Sequence, residues 1–172
     1  MFPKLRLVFL LIAAVSAAGC GARGTIGTQQ RFYDLRHLAE GAFQAGEFDK
    51  AKAYADELLQ MAPHYRGDWN YGNAIHHANV ILGRLALRSG NVKAAKEYLI
   101  KAGNTPGSPQ LDSFGPNMTL AKDLLEKGER KVVIEYFQLC SKFWKMERGR
   151  LQAWTSTVQQ GGIPDFGPNL LY

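Results

Sequence analysis

Arg84 and Arg88 stand four residues apart, a spacing that puts both guanidinium groups on one helix face. Like charges there repel by a few tenths of a kcal/mol unless an anion lies between them. A carboxylate suits the pair, because each planar guanidinium offers it two parallel hydrogen bonds. Neutralisation within the protein by Glu40 and Glu126 is the alternative. The other reactive residue types are scattered. His76 and His77 are adjacent, so on a helix they project about 100° apart, and His37 and His64 lie elsewhere, so no spacing completes a metal site. Cys140 shares a face with Val133, Phe137 and Trp144 and reads as a small core hydrophobe, with no base placed to make it a nucleophile. No GxSxG, P-loop, HExxH or GxGxxG occurs. These residues predict a chain that binds rather than catalyses, with no metal and no cofactor.

The elements that must position such residues are helices. Leu35, Leu38, Ala39 and Ala42 share one face; Phe48, Ala51, Ala55, Leu58 and Leu59 share the next, with Gly46 between. A second hairpin has Ile75, Ala78, Leu82, Leu85 and Ala86, then Gly90, then Val92, Ala95, Leu99 and Ala102. A third has Leu120, Ala121 and Leu124, then Gly128, then Val133, Tyr136, Phe137 and Cys140. The turn glycines are 44 and 38 residues apart, and self-similarity at such a period predicts stacked repeats. Leu151, Trp154 and Val158 within 147–160 form a last apolar face, predicted to cap the stack. An extended apolar tail, 163–172, follows.

The beginning of the chain is of a different kind. A positive start with Lys4 and Arg6, an apolar run from Leu7 to Val15 and the small residues Ser16, Ala17, Ala18 and Gly19 make a three-part signal over 1–19. The apolar run is shorter than the roughly 20 residues a bilayer span takes. Ala17-Ala18-Gly19-Cys20 resembles the bacterial lipobox, departing from it at Ala17, where Leu is commoner. That resemblance implies an acylated Cys20, a lipid anchor and a place in the cell envelope. A simple secretory cut near Ala17 or Ala18 is the alternative. Gly21, rather than Asp, after the cysteine favours the periplasmic face of the outer membrane where the cell has one. Glycine-rich 20–28 reads as a flexible tether, and 29–172 as the folded domain. Without the signal, 19 basic residues face 15 acidic ones, a mild excess with no basic stripe, so nucleic acid is not an expected partner.

Ala39, Gly83 and Ala121 lie seven residues before their turn glycines, and Ala51, Ala95 and Val133 five after. Small residues at those places resemble tetratricopeptide repeats, whose unit is 34 residues; here the units fall near 32–65, 76–109 and 114–147. The resemblance implies an all-α, right-handed superhelix of about three hairpins with a C-terminal capping helix, and a concave groove that takes peptides. The groove residues carried over are Tyr33, Arg36, Glu40, Phe43, His77, Val80, Arg84, Arg88, Lys122 and Glu126. The stretch from Asn104 to Asn117 also resembles bacterial repeat proteins of no assigned activity.

Two features stand outside the repeat. The connection between the first hairpins gathers Tyr65, Arg66, Trp69 and Tyr71, a candidate contact cluster if exposed and a wider core if packed. The string Phe114-Gly115-Pro116-Asn117-Met118 recurs as Phe166-Gly167-Pro168-Asn169-Leu170. Local turn chemistry, with Asn117 capping a helix, is one reading; docking of both aromatics in equivalent grooves is the other. The functional expectation is a membrane-tethered interaction or assembly factor whose partner is an envelope protein or peptide, acidic or ending in a carboxylate. Capture of a small ligand is the alternative.

Overall fold

The computed structural model describes residues 21–171, with side chains from Gly27 onward. The signal segment 1–19 and the proposed anchor Cys20 lie outside the described residues. The described chain is all-α, with no strand. Its helices are α1 (Gly21–Gln44), α2 (Phe48–Met61), α3 (Tyr71–Arg88), α4 (Val92–Gly103), α5 (Pro109–Ser113), α6 (Thr119–Glu126), α7 (Arg130–Cys140) and α8 (Arg150–Gln159). The hairpins read from periodicity are α1/α2, α3/α4 and α6/α7, each pair packed together. Short α5 was not anticipated; Ser108 caps it by accepting the Leu111 N–H at 2.9 Å.

Each hairpin turns the same way because each turn needs a left-handed residue. Gly46, Gly90 and Gly128 have φ of +77°, +81° and +82°, a region glycine enters without a Cβ penalty. At each, the glycine N–H and the one after it bond back to the end of the preceding helix: Gly46 to Phe43 and Glu47 to Ala42, Gly90 to Leu87 and Asn91 to Ala86, Gly128 to Leu125 and Glu129 to Leu124. That paired arrangement satisfies carbonyls the helix leaves open. Gly161 and Gly162 close α8 identically, bonding to Val158 and Thr157 with φ +87° at Gly161. After this fourth turn no α-helix follows among the described residues, only a short 3-10 helix over Gly167–Leu170 in the tail that was expected to be extended.

Two apolar cores result. Phe32, Leu35, Ala39, Ala51, Ala55 and Leu58 pack with Ala74, Ala78 and Leu82 of α3. Leu99, Leu120, Leu124, Phe137, Trp144, Trp154 and Phe166 dominate the second. Helix α3 lies between them, and every residue from Gly72 to Gly83 except Ile75 is buried. The capping face Leu151, Trp154 and Val158 is buried as expected. Leu38 departs from the expectation, being 37% exposed, because α1 has one packed side where α3 has several. Segment 20–28, expected as a tether, is helical from Gly21: lengthening an existing helix adds a hydrogen bond per residue without a second nucleation.

Since successive helices are antiparallel, the glycine turns lie at one end of the stack and the connections 62–70, 104–118 and 141–149 at the other. Bonds that these connections make to α1, to α3 and to one another mark that end. Tyr33 of α1 donates to Asp68 at 2.6 Å, Asn73 of α3 to Gln110 at 2.9 Å, and the Lys145 N–H to Asp112 at 2.8 Å. Gly72 sits in the middle of it, where an added Cβ would fall on the Gly107 carbonyl. Gly72→Ala therefore overpacks and should cost about 2 kcal/mol, a fall in Tm of roughly 4–8 °C by scanning calorimetry. Gly41→Ala, with nothing within 4 Å of the new methyl, should not lower Tm; equal losses in the two variants would refute the packing account.

Candidate functional site

Glu40 and Phe43 of α1 and His77, Val80 and Arg84 of α3 line one small cavity of about 80 Å³ with Asn117 and the tail residues Leu170 and Leu171. Phe43 and Arg84 also border an open cleft of about 650 Å³ that continues past Phe48, Arg88, Asp123 and Glu126. Five of the residues assigned to a groove thus meet at one cavity, and Arg88 and Glu126 extend it. Tyr33 is elsewhere, bonded to Asp68. Arg36 is buried and donates to Glu40 at 3.2 Å, and Lys122 faces Glu126 at 3.8 Å.

The two arginines are not equivalent. Arg84 Nε lies 2.7 Å from Asp123 Oδ2, so its partner is Asp123 and not Glu40 or Glu126, which are engaged by Arg36 and Lys122. Arg88 is exposed, and among the described residues no carboxylate stands within ion-pair distance of it. Both guanidiniums stack on rings: Arg84 over Phe43 at 4.5 Å and Arg88 over Phe48 at 3.9 Å. The two rings meet edge to face, 5.7 Å between centroids. Stacking fixes a guanidinium's plane and leaves its N–H donors unused. The wall therefore presents one committed cation, one uncommitted cation and two aromatic faces.

Behind this wall His76 joins three elements. Its Nε2 accepts the Asn117 N–H at 2.9 Å, and its Nδ1 lies 3.2 Å from the Ala102 carbonyl. A ring nitrogen accepting from a backbone N–H carries no proton, so Nδ1 holds the hydrogen and the ring is neutral. Burial pushes its pKa down to about 4, more than the Ala102 carbonyl raises it, with Arg36 adding to the fall. His77 is lowered too, by burial first and then by His76, Arg36 and His37. Glu40, 3.5 Å from His77 Nδ1, would favour a charged ring; complete burial outweighs it.

The duplicated strings meet each other, which neither reading foresaw. The Met118 N–H donates to the Asn169 carbonyl at 2.8 Å, and Asn169 Nδ2 donates to the carbonyls of Phe114 and Pro116 at 3.2 and 2.9 Å. Phe166 is buried against Phe137 and Trp154, whereas Phe114 is 61% exposed. The two aromatics do not occupy equivalent grooves. Asn117 bonds instead to Thr119, accepting from its N–H and its hydroxyl. The aromatic cluster after α2 divides as well: Tyr65 stacks on Phe32 at 4.3 Å, while Trp69 is 56% exposed and Arg66 is exposed. Tyr71 packs against the first core. Asp123, Phe48 and the tail leucines went unassigned in the sequence. Arg84 and Asp123 are 39 residues apart, one more than the 38 between Gly90 and Gly128, so the repeat register points from Arg84 to Lys122 and misses the partner.

Cys140 is buried, and its thiol is held protonated by that burial. Among the described residues no group of His, Cys, Asp and Glu could hold a metal, and no helix is long and apolar enough to cross a membrane. Comparison of the chain with models of protein families, with curated proteins and with solved structures finds no match.

Two outcomes follow from this geometry. Ending the chain at Gly162 removes buried Pro164, Phe166 and Asn169 and should cost roughly 3–5 kcal/mol, on the scale of a deleted core phenylalanine. The corresponding fall in Tm is about 10 °C; an unchanged melting curve would mean the tail is not docked. The histidines give the second. The unfolded His76 takes a proton near 6.5 and the folded one near 4, so its contribution is complete above pH 6.5 and is lost as pH falls toward 4. Urea titration should give about 2 kcal/mol less stability at pH 5 than at pH 7.5 from His76 alone. An NMR titration placing the His76 midpoint above 6 would contradict the assignment.

Proposed function

We propose that this chain is a membrane-tethered interaction module that binds an extended peptide of an envelope partner through a carboxylate. The Arg84–Phe43–Phe48–Arg88 ladder at the rim of the 650 Å³ cleft carries the reading. An incoming carboxylate meets Arg88, whose donors are oriented by stacking and uncommitted, while the phenyl faces accept apolar side chains beside it. Three hairpins with glycine turns of one geometry support a tetratricopeptide-like superhelix, of which this cleft is the concave side. Ala17-Ala18-Gly19-Cys20 supports anchoring through an acylated Cys20, and Gly21 supports the outer membrane as the address. The chain is then an adaptor or assembly factor, not an enzyme.

Fluorescence polarisation tests this with a labelled acidic peptide ending in a free carboxylate and with its amidated twin. A charge-assisted hydrogen bond contributes about 1.5–3 kcal/mol, so Arg88→Ala and amidation should each weaken binding roughly 10- to 100-fold. Doing both should weaken it little further than either alone. Equal affinity of the two peptides would defeat the proposal.

A further inference from the structure

We propose that the end of the stack from which α1 starts is a second binding surface, one that rests on an anionic phospholipid bilayer. Its charge comes from the segment between α7 and α8. Lys142, Lys145, Arg148 and Arg150 accompany a single carboxylate there, Glu147. That carboxylate accepts the Leu151 N–H at 3.0 Å, and the nearby Asp112 accepts the Lys145 N–H at 2.8 Å. Among the described residues none of the four cations has a carboxylate within ion-pair distance, in contrast to Arg31, Arg36, Lys50, Lys52, Arg84 and Lys96.

Apolar side chains stand beside these charges. Phe114 and Met146, 61% and 47% exposed, border a recess of about 270 Å³ with Ser113, Arg148, Arg150 and Pro168. Trp69, 56% exposed, belongs to another connection at the same end. The segment is held in place, with the Met146 N–H on the Asp112 carbonyl at 3.3 Å and Arg150 over the Trp144 ring at 5.7 Å. Arg148 is the non-glycine residue with positive φ among those described, at +54°, a conformation that costs an arginine energy.

The occupant follows from charge and from shape. Apolar tips on separate connections, set among unpaired cations, do not make the single central pocket of a protein interface. A bilayer surface accepts them: aromatic rings settle at headgroup depth, and each Lys or Arg near an anionic leaflet contributes about one kilocalorie per mole. Helix α1 meets this end at Tyr33 and runs out past it toward Gly21, so the acylated Cys20 of the reading above would tether it to the membrane. The inference rests on that reading for its orientation, while the patch itself is present without a lipid.

The test uses the chain from Gly21, since both cores are built from residues within 32–166 and need nothing before it. Sedimentation with vesicles of phosphatidylglycerol and phosphatidylcholine, or of phosphatidylcholine alone, should show binding only to the former, weakening as salt rises. Brominated lipid should quench Trp69, the exposed tryptophan. Arg148→Gly with Arg150→Gln, where glycine relieves the backbone at 148, should lower partitioning roughly thirtyfold; Phe114→Ser should lower it and keep helicity by circular dichroism. Absence of binding to the anionic vesicles overturns the proposal. So does binding that polyglutamate displaces while Phe114→Ser has no effect and Trp69 stays unquenched, the behaviour of a site for an acidic protein. The double substitution should leave affinity for the carboxylate peptide unaltered, so the two surfaces fail or stand separately.

Discussion

Helix α3 is enclosed on nearly all sides, and what that enclosure demands of its polar residues governs the rest of the fold. A buried polar group left unpaired costs a few kcal/mol, so Asn73, His76 and Asn79 must find partners inside the protein. Asn73 bonds Gln110 and Ser108 of the following connection, His76 joins Ala102 of α4 to Asn117, and Asn79 donates to the Ile75 carbonyl of its own helix. Thr105 adds a bond to the Gly72 carbonyl at 2.7 Å. Apolar contact is tolerant of small displacements, whereas these bonds are directional. The His76 bond to the Asn117 N–H, just before α6, adds a directional constraint to the apolar contact between the second and third hairpins.

Much of this architecture was legible because helical periodicity and turn chemistry are local. The faces of Ala51, Ala55 and Leu58, of Ala95, Leu99 and Ala102, and of Val133, Tyr136 and Phe137 are buried as their spacing required. Gly46, Gly90 and Gly128 stand at left-handed turns. Gly161 repeats them after a further 33 residues, without an apolar helical face after it to mark a further hairpin. What escaped was non-local. Adjacent histidines gave no sign that both would be buried, because α3's all-round burial depends on which helices flank it. Arg84 finding Asp123, and one FGPN string finding the other, are pairings between segments far apart in sequence, where spacing carries little information.

The small cavity beside the cleft shows the same division. Its lining on α1 and α3 could be assigned from repeat positions, but its boundary at one side is Leu170 and Leu171, from beyond the last repeat. The tail reaches that place through Phe166 in the aromatic cluster and Asn169 on three backbone groups. Site shape and C-terminal docking are thereby one problem of packing: whatever shifts Trp154 or Phe137 also moves a wall of the cavity.

The turn at Gly161 has a consequence for how such a chain could grow. The backbone there has already completed the manoeuvre that begins a descending helix three times before, and what comes next is set by Ile163-Pro164, since a proline disfavours helical backbone in the residue before it. Among the described residues these two residues separate the fourth turn from the tail that docks back through Phe166 and Asn169. A gene duplication spliced upstream of that junction would insert another module while leaving the same closing strap to seal whichever one came last.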